Sequence, residues 1–208
     1  MIPVSERLEP SNFNTNVRVP GERFLRLHGN RPFTSKSFKG KAYWKDCLKD
    51  LRDAYSGICA YTASFIALDS GHSIGTVDHF LPKTLVPALA YEWSNYRFCN
   101  PKVNENKSNL VTIVDPFGIK YGWFVIDFVT FRVNPADGLP EYLRARVADS
   151  ISNLGLNDDD RIAQPRADRV LEYVRDEVSF NHLTKNYPFI AFELDRQDLK
   201  DQIKVMHS

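Results

Sequence analysis

Apolar positions change their spacing along the chain, and each change marks a predicted element. From Ala42 to Tyr55 they recur at helical spacing between charged residues, which predicts an amphipathic helix that ends at Gly57. Residues 1–40 contain four prolines and several asparagines, serines and glycines, so we expect an extended arm with little regular structure there. Residues 1–56 are therefore predicted to form an N-terminal arm followed by one helix.

The middle of the chain combines short apolar runs with residues typical of turns. Between residues 58 and 98 the runs are interrupted by aspartate, glycine and proline, which indicates a strand, a loop and a second strand. The polar run at 100–109 favours a loop that leads into a short helix. Aromatic side chains are frequent around 91–98, and we expect most of them to pack in the core.

The last part of the chain predicts strands first and helices afterwards. Two strands are expected at 110–114 and at 123–133, where apolar side chains run almost without interruption. From Leu139 onward the apolar spacing predicts helices. The predicted fold class is α+β, and the predicted segments are 1–56, 57–110 and 111–208.

Composition limits the classes of function. The 208 residues are 43% hydrophobic and 25% charged, which is typical of a globular protein. No run approaches the roughly 18 apolar residues of a membrane span, and residues 1–10 lack the apolar stretch of a signal peptide. We therefore expect a cytoplasmic protein without membrane contact. The three cysteines are predicted to be free thiols, because an odd number at irregular spacing does not form a disulfide framework.

The charge balance argues against binding of nucleic acid by bulk charge. The chain has 27 basic and 26 acidic side chains and a net charge of +1. Proteins that hold nucleic acid by charge alone are strongly basic. A polyanionic ligand would therefore need a local patch, a metal ion or a partner subunit. The most basic stretch lies on the N-terminal arm and contains Arg31, Lys36, Lys39 and Lys41.

The string TVDHFLPK, residues 76–83, places two chemically different groups side by side. Asp78 is a hard oxygen ligand suited to a Mg²⁺-like cation, and neutral His79 is a natural general base near pH 7. Adjacent side chains of an extended segment point to opposite faces. The two groups would therefore have to converge through a local distortion or through the shell of a metal ion.

Further polar residues follow at regular distances. Asn95 comes sixteen residues after His79, Asn104 nine residues later, and Lys107 three residues after that. In this pattern the chain resembles the HNH (ββα-metal) endonuclease family, which has Asp-His at a strand end, a central Asn in a loop, and an Asn or His that opens a helix and precedes a Lys. The resemblance covers residues 57–110 and extends more loosely to about residue 200.

The surrounding sequence narrows the resemblance to one group. The strings VDHFLPK, LAYEWSNYR, DPF and LGLN resemble stand-alone bacterial HNH proteins. Some of that group are paired with an SMC-like or AAA-type ATPase in Septu-like and retron phage-defence systems. The resemblance therefore implies a nuclease subunit of an antiphage assembly, with an ATPase as partner.

The resemblance also implies a role for each polar residue. Asp78 and Asn104 would hold one divalent cation, Mg²⁺ or Mn²⁺, because both supply oxygen. His79 would deprotonate the attacking water, and Asn95 would bond the backbone around His79 and hold the imidazole. Lys107 would contact the scissile phosphate. Nucleic-acid contacts are expected from three basic residues near the site, Lys83, Arg97 and Lys102. His72 is a further candidate for substrate contact.

One family feature is absent. Many HNH proteins carry two C-x-x-C pairs that bind a structural zinc ion, and here the corresponding strings read CAYT at residues 59–62 and NPKV at residues 100–103. Only Cys59 occupies one of the four positions, and Cys99 lies one position away from another. A tetrahedral zinc site needs four such ligands, so no structural zinc is expected.

The substrate most consistent with the resemblance is double-stranded DNA. RNA, for instance tRNA, is the alternative substrate of the same chemistry, because no recognisable reader of the 2′-hydroxyl decides the sugar. A non-enzymatic alternative is an HNH-like module that only binds an ATPase. The helical region beyond about residue 139, which mixes acidic and basic side chains, is the predicted docking surface for the partner.

Overall fold

The computed structural model describes residues 1–67 and 75–207, and the chain divides into two compact units. The first, called here the N-terminal unit, comprises residues 5–59 and 66–111. The second, the C-terminal unit, comprises residues 1–4, 60–65 and 112–208. Each unit is described by itself.

The N-terminal unit contains three α-helices and two strands among its described residues. In chain order they are α1 (Val19–His28), α2 (Leu48–Ala54), β1 (Thr76–His79), β2 (Tyr96–Cys99) and α3 (Pro101–Lys107). A π-helical turn at Asn14–Arg18 precedes α1, and 3-10 turns lie at Ser35–Phe38, Tyr43–Cys47, Pro87–Leu89 and Trp93–Asn95.

The expectation of an extended arm at residues 1–40 is wrong for its middle part. Residues 14–28 are helical, as a π-helical turn at 14–18 that continues into α1, and Pro20 lies in the first turn of α1. The fixed φ of proline suits that position. The helix therefore runs through Pro20, although the prolines of this segment predicted irregular structure.

Strands β1 and β2 pair antiparallel, and α3 follows β2 directly. Val77 lies opposite Phe98, and His79 lies opposite Tyr96. Asn100 separates β2 from α3 and caps the helix, since its Oδ1 accepts a hydrogen bond of 2.8 Å from the backbone N–H of Lys102. The arrangement is a two-stranded hairpin with a helix at its end.

Aromatic side chains form the core of the N-terminal unit. Phe13 packs edge-on against Trp93, with ring centroids 5.5 Å apart, and against Tyr96 at 5.9 Å. Tyr91, Trp93, Tyr96 and Phe98 are all buried, which confirms the packing role expected for this stretch. Gly21 of α1 lies directly on Tyr91, where an added Cβ would be only 2.1 Å from the ring.

The C-terminal unit contains a short hairpin and a set of helices. Among the described residues these are β3 (Phe124–Ile126), β4 (Val133–Pro135), α4 (Glu141–Asn153), α5 (Gln164–Val174), α6 (Phe180–Asn186), α7 (Pro188–Arg196) and α8 (Gln202–Met206). A π-helical turn at Asp159–Ala163 precedes α5. Strands β3 and β4 pair antiparallel, with Val125 opposite Asn134.

Both strand predictions for residues 110–133 are wrong. Residues 110–114 lie in the described part of the chain and are not in a strand, and 123–133 is a hairpin, not one strand. The carboxylate of Asp127 accepts hydrogen bonds from the backbone N–H groups of Val129 and Thr130, and Phe131 has a φ of 56°. These bonds stabilise a turn within the apolar run.

The fold class is α+β, as predicted: helices dominate and the strands form two small antiparallel sheets. In the described residues, no helix has both the length and the apolar character needed to cross a membrane.

Candidate functional site

Asp78 and His79 end strand β1, and their side chains point to opposite faces. The Asp78 carboxylate faces α3, where its Oδ1 lies 3.0 Å from the Nζ of Lys107. The His79 ring faces the other side and packs edge-on against Trp44 at 4.7 Å. The side chains of β1 therefore alternate between the two faces of the strand up to its last residue, His79.

The His79 imidazole is anchored through one ring nitrogen. Its Nε2 lies 2.9 Å from the backbone carbonyl oxygen of Ala90. A carbonyl oxygen only accepts hydrogen bonds, so Nε2 must carry the proton, and Nδ1 has the lone pair. Nδ1 makes no hydrogen bond to the described residues and keeps its lone pair.

The surroundings of His79 keep the ring neutral. Only 6% of the residue is exposed, and this burial is the largest cause that lowers the pKa of His79 to about 3. The positive charges of Lys83 and Lys107 contribute to the lowering, while the hydrogen bond to Ala90 opposes it. Near pH 7 the imidazole is therefore unprotonated at Nδ1 and can accept a proton, although a pKa of about 3 makes it a weaker base than an ordinary histidine.

The low pKa of His79 predicts a loss of stability in acid. Its pKa is about 3 in the folded chain and about 6.5 when unfolded, so between these values the unfolded chain binds more protons and the free energy of unfolding falls as the pH falls. From pH 7 to pH 5 wild type should lose about 2 kcal/mol more than His79→Gln. Urea unfolding of both proteins in chelator measures this difference. Equal losses would contradict the low pKa.

Lys107 is fully buried at the end of α3. Its ammonium donates to Asp78 Oδ1 at 3.0 Å, to the His79 carbonyl oxygen at 2.8 Å and to the Phe80 carbonyl oxygen at 3.0 Å. An ammonium has three donors, and all three are used. In this conformation Lys107 stabilises the end of β1 and has no donor left for a phosphate.

Asn104 lies one turn before Lys107 on the same face of α3. Its Nδ2 donates to the hydroxyl of Thr76 at 3.3 Å. Thr76 and Asp78 share one face of β1, so Asn104 and Asp78 lie on facing surfaces of helix and strand. In the described residues, no three acidic, histidine or cysteine side chains form a cluster.

The pair of Asp78 and Asn104 fits a Mg²⁺-like cation by its donor chemistry. Both residues carry hard oxygen atoms, and Mg²⁺ is commonly held by one or two carboxylates with waters and phosphate oxygens. The Lys107 ammonium, however, already bonds the Asp78 carboxylate. A divalent cation at Asp78 must therefore compete with Lys107.

Asn95 fastens the loop that follows His79. Its Oδ1 accepts from the Leu81 N–H at 2.8 Å, and its Nδ2 donates to the carbonyl oxygens of Leu81 at 3.0 Å and Leu89 at 3.1 Å. The backbone carbonyl oxygen of Asn95 also accepts from the Phe80 N–H. These bonds join Asn95 to the backbone near His79, as the resemblance to the HNH family implies. A contribution of Asn95 to catalysis stays a prediction.

The three predicted nucleic-acid contacts lie in different environments. Arg97 is 3% exposed, and its guanidinium donates to the carbonyl oxygens of Ser94 and Tyr96, so in this conformation it faces the protein. Lys102 is half-buried and pairs with Glu105 at the start of α3. Lys83 is half-buried too, and its ammonium lies 5.3 Å from the centre of the Trp44 ring.

Lys83 interacts electrostatically with both Asp78 and His79, although of the two lysines only Lys107 bonds them directly. Burial lowers the pKa of Lys83, and the negative charge of Asp78 raises it in part. Lys83 in turn lowers the pKa of His79. Lys83 is thus placed to contribute positive charge beside both residues.

Some contacts of the site could not be found in the sequence. Trp44 was interpreted only as an apolar position of a helix, yet it forms the wall against which His79 packs. The Ala90 carbonyl, which orients the imidazole, is a backbone group and has no sequence signal. His72 lies within residues 68–74, outside the described part of the chain.

Cys59 and Cys99 lie beside each other. Both are fully buried free thiols, and the Asn100 backbone N–H bonds the Cys59 sulfur at 3.3 Å. Burial raises the pKa of the Cys99 thiol, and a hydrogen bond with Cys59 adds to this effect. Cys99 therefore lies next to Cys59, the one cysteine at a position of the zinc-binding C-x-x-C pairs. The absence of structural zinc stays a prediction.

The Asp78 carboxylate and the Asn104 amide lie where β1 faces α3, and the neutral His79 imidazole lies on the opposite face of β1. Lys83 adds positive charge that acts on both Asp78 and His79. No family model matches the sequence, and no curated protein matches it.

Proposed function

We propose that this chain is a metal-dependent endonuclease of the HNH type, which hydrolyses phosphodiester bonds in nucleic acid. The observation that carries the proposal is the state of His79. The ring is neutral, is held through Nε2, has Nδ1 left as an acceptor, and directly follows a carboxylate. The hairpin of β1 and β2 followed by α3 supports the same assignment, because it matches the element order of a ββα core.

Each residue would have a separate task. Asp78 and Asn104 would hold one Mg²⁺ or Mn²⁺, and the ion would stabilise negative charge on the phosphate and on the leaving oxygen. His79 would take a proton from the attacking water at Nδ1. Asn95 would keep the loop after β1 in place through its three backbone bonds. Lys83 would attract the phosphate as a positive charge.

The proposed substrate is DNA, with RNA as the alternative. The chain has a net charge of +1, so a duplex would be held by few phosphate contacts. We therefore include in the proposal a partner that supplies further affinity, an SMC-like or AAA-type ATPase bound to residues beyond about 139. An antiphage assembly is the setting that the sequence resemblance suggests.

The proposed activity is tested by cleavage of a supercoiled plasmid and, in a parallel arm, of tRNA. We expect cleavage in Mg²⁺ or Mn²⁺ and none in excess chelator, because the metal supplies the charge stabilisation. The fold should survive the chelator, which circular dichroism measures. Cleavage that persists in chelator would disprove metal dependence, and unfolding in chelator would indicate a structural metal.

One observation favours a second candidate, a non-catalytic module that binds a partner. The Asp78 carboxylate, a predicted metal ligand, forms a buried ion pair with Lys107. A carboxylate with a structural role needs no metal. If neither nucleic acid is cleaved by the chain, alone or with its partner, this second candidate is preferred.

A further inference from the structure

An open cleft on α1 lies outside the site described above. Its volume is about 640 Å³, and it is lined by one face of α1, by the chain after α1 and by residues 41 and 43. All of its lining residues belong to the N-terminal unit. Clefts of this size commonly take small-molecule ligands.

The cleft is positively charged. Arg23, Arg31 and Lys41 line it, and none of its ten lining residues, all of them described, carries a carboxylate. Within the described part of the chain none of the three cations forms an ion pair. Arg31 Nε donates to the carbonyl oxygen of His28, which fixes the guanidinium while its terminal amino groups stay available. Three unneutralised cations along one cleft favour an anionic ligand.

The wall of the cleft is apolar and aromatic. Phe24 and Tyr43 line it, and Leu27 and Val19 add apolar surface that is 74% and 52% exposed. Both aromatic rings rest on Tyr91, at centroid distances of 6.3 Å for Phe24 and 5.7 Å for Tyr43. Rings held in this way form a rigid surface on which a planar group can stack.

The combination of charge and aromatic surface defines the ligand. A simple anion would use the cations and leave the apolar wall exposed, and a neutral aromatic molecule would leave the cations without a partner. A nucleotide has both a phosphate and a planar base. We propose that the cleft binds a nucleotide, with its phosphate held by Arg23, Arg31 and Lys41 and its base stacked on Phe24 or Tyr43.

The nucleotide has two sources, a free nucleoside phosphate and one unit of a nucleic-acid strand. Tyr91 connects the cleft to the other site, since it contacts Trp44 at 5.8 Å and Trp44 contacts His79. The cleft and His79 are thus joined by a continuous series of ring contacts, along which a bound strand would run. Nucleotide binding does not depend on cleavage, so the inference stands apart from the proposed function.

Two fluorescent probes test the proposal on the full chain, a labelled short oligo(dT) and mant-ATP, both in chelator to prevent hydrolysis. We expect at least one probe to bind wild type. Arg31→Glu and Arg23→Glu should each weaken binding about tenfold or more, and Phe24→Leu by about tenfold. Binding of only the oligonucleotide identifies a strand, and displacement of either probe by ATP identifies a free nucleotide.

Arg26→Glu is the matched control, because Arg26 is exposed on the same helix and does not line the cleft. The affinity of Arg26→Glu for the probes should stay within about twofold of wild type if binding depends on the location of the charge in the cleft and not on the net charge of the chain. Three results would overturn the proposal: no binding of either probe, equal losses for Arg26→Glu and Arg31→Glu, or displacement by inorganic phosphate as efficient as by ATP. Circular dichroism verifies the fold of each variant, and Tyr43→Leu replaces Phe24→Leu if the latter unfolds.

Discussion

The His79→Ala variant is expected to cleave DNA on the order of 10²–10⁴-fold more slowly than wild type. The imidazole is the neutral base of the proposed reaction, and its Nδ1 is the atom that accepts the proton of the attacking water. Single-turnover cleavage of a labelled duplex at saturating Mn²⁺ measures the effect on the chemical step. Turnover equal to wild type would exclude His79 as the base.

Two further variants separate catalysis from folding. His79→Gln keeps an N–H that can reach the Ala90 carbonyl but offers no base at the position of Nδ1, so it should be as slow as His79→Ala. His182→Ala removes an exposed histidine of α6 and should cleave at the wild-type rate. A slow His182→Ala variant would show that the loss is not specific to the site.

Lys107→Met is expected to lower the free energy of unfolding by about 3–5 kcal/mol. Methionine fills a similar volume, but Asp78 and the carbonyl oxygens of His79 and Phe80 lose their common donor. An uncompensated buried carboxylate is more costly than the loss of a hydrogen bond alone. Urea unfolding in chelator measures the change.

The same variant tests the competition between Lys107 and a metal ion. Mn²⁺ should stabilise Lys107→Met more than it stabilises wild type, because the Asp78 carboxylate no longer has an ammonium partner. Lys102→Met, on the same helix but with a partly exposed ion pair to Glu105, should change stability by less than about 1 kcal/mol. Equal stabilisation of both variants by Mn²⁺ would exclude competition at Asp78.

Sequence patterns predicted two of the three elements around the site. The run that contains Asp78, predicted as a strand, includes β1, and the polar run after Asn100 contains α3. These two predictions succeeded because short elements with an alternating or capped pattern depend on local preferences. The other predicted strand, in the apolar run from residue 58, is not a strand over the described residues 58–67, and β2 lies instead at Tyr96–Cys99. Asn95, expected to bond the backbone near His79, makes such bonds.

The direction of the basic side chains could not be predicted. Lys107 and Arg97 look like surface residues in sequence, yet both are buried and bonded to backbone carbonyl oxygens. Such carbonyl groups are present at every position, so no sequence pattern shows which of them lack a partner. The wall that Trp44 forms against His79 depends likewise on a contact between residues far apart in sequence.

Gly21 determines how closely α1 approaches the Tyr91 ring. A Cβ at this position would lie only 2.1 Å from the ring, so no larger residue fits without a displacement. Tyr91 supports the aromatic wall of the cleft on one side and contacts Trp44, the neighbour of His79, on the other. Any side chain at position 21 would push α1 and this ring apart, so the spacing between the wall of the cleft and Trp44 depends on the absence of a single methyl group.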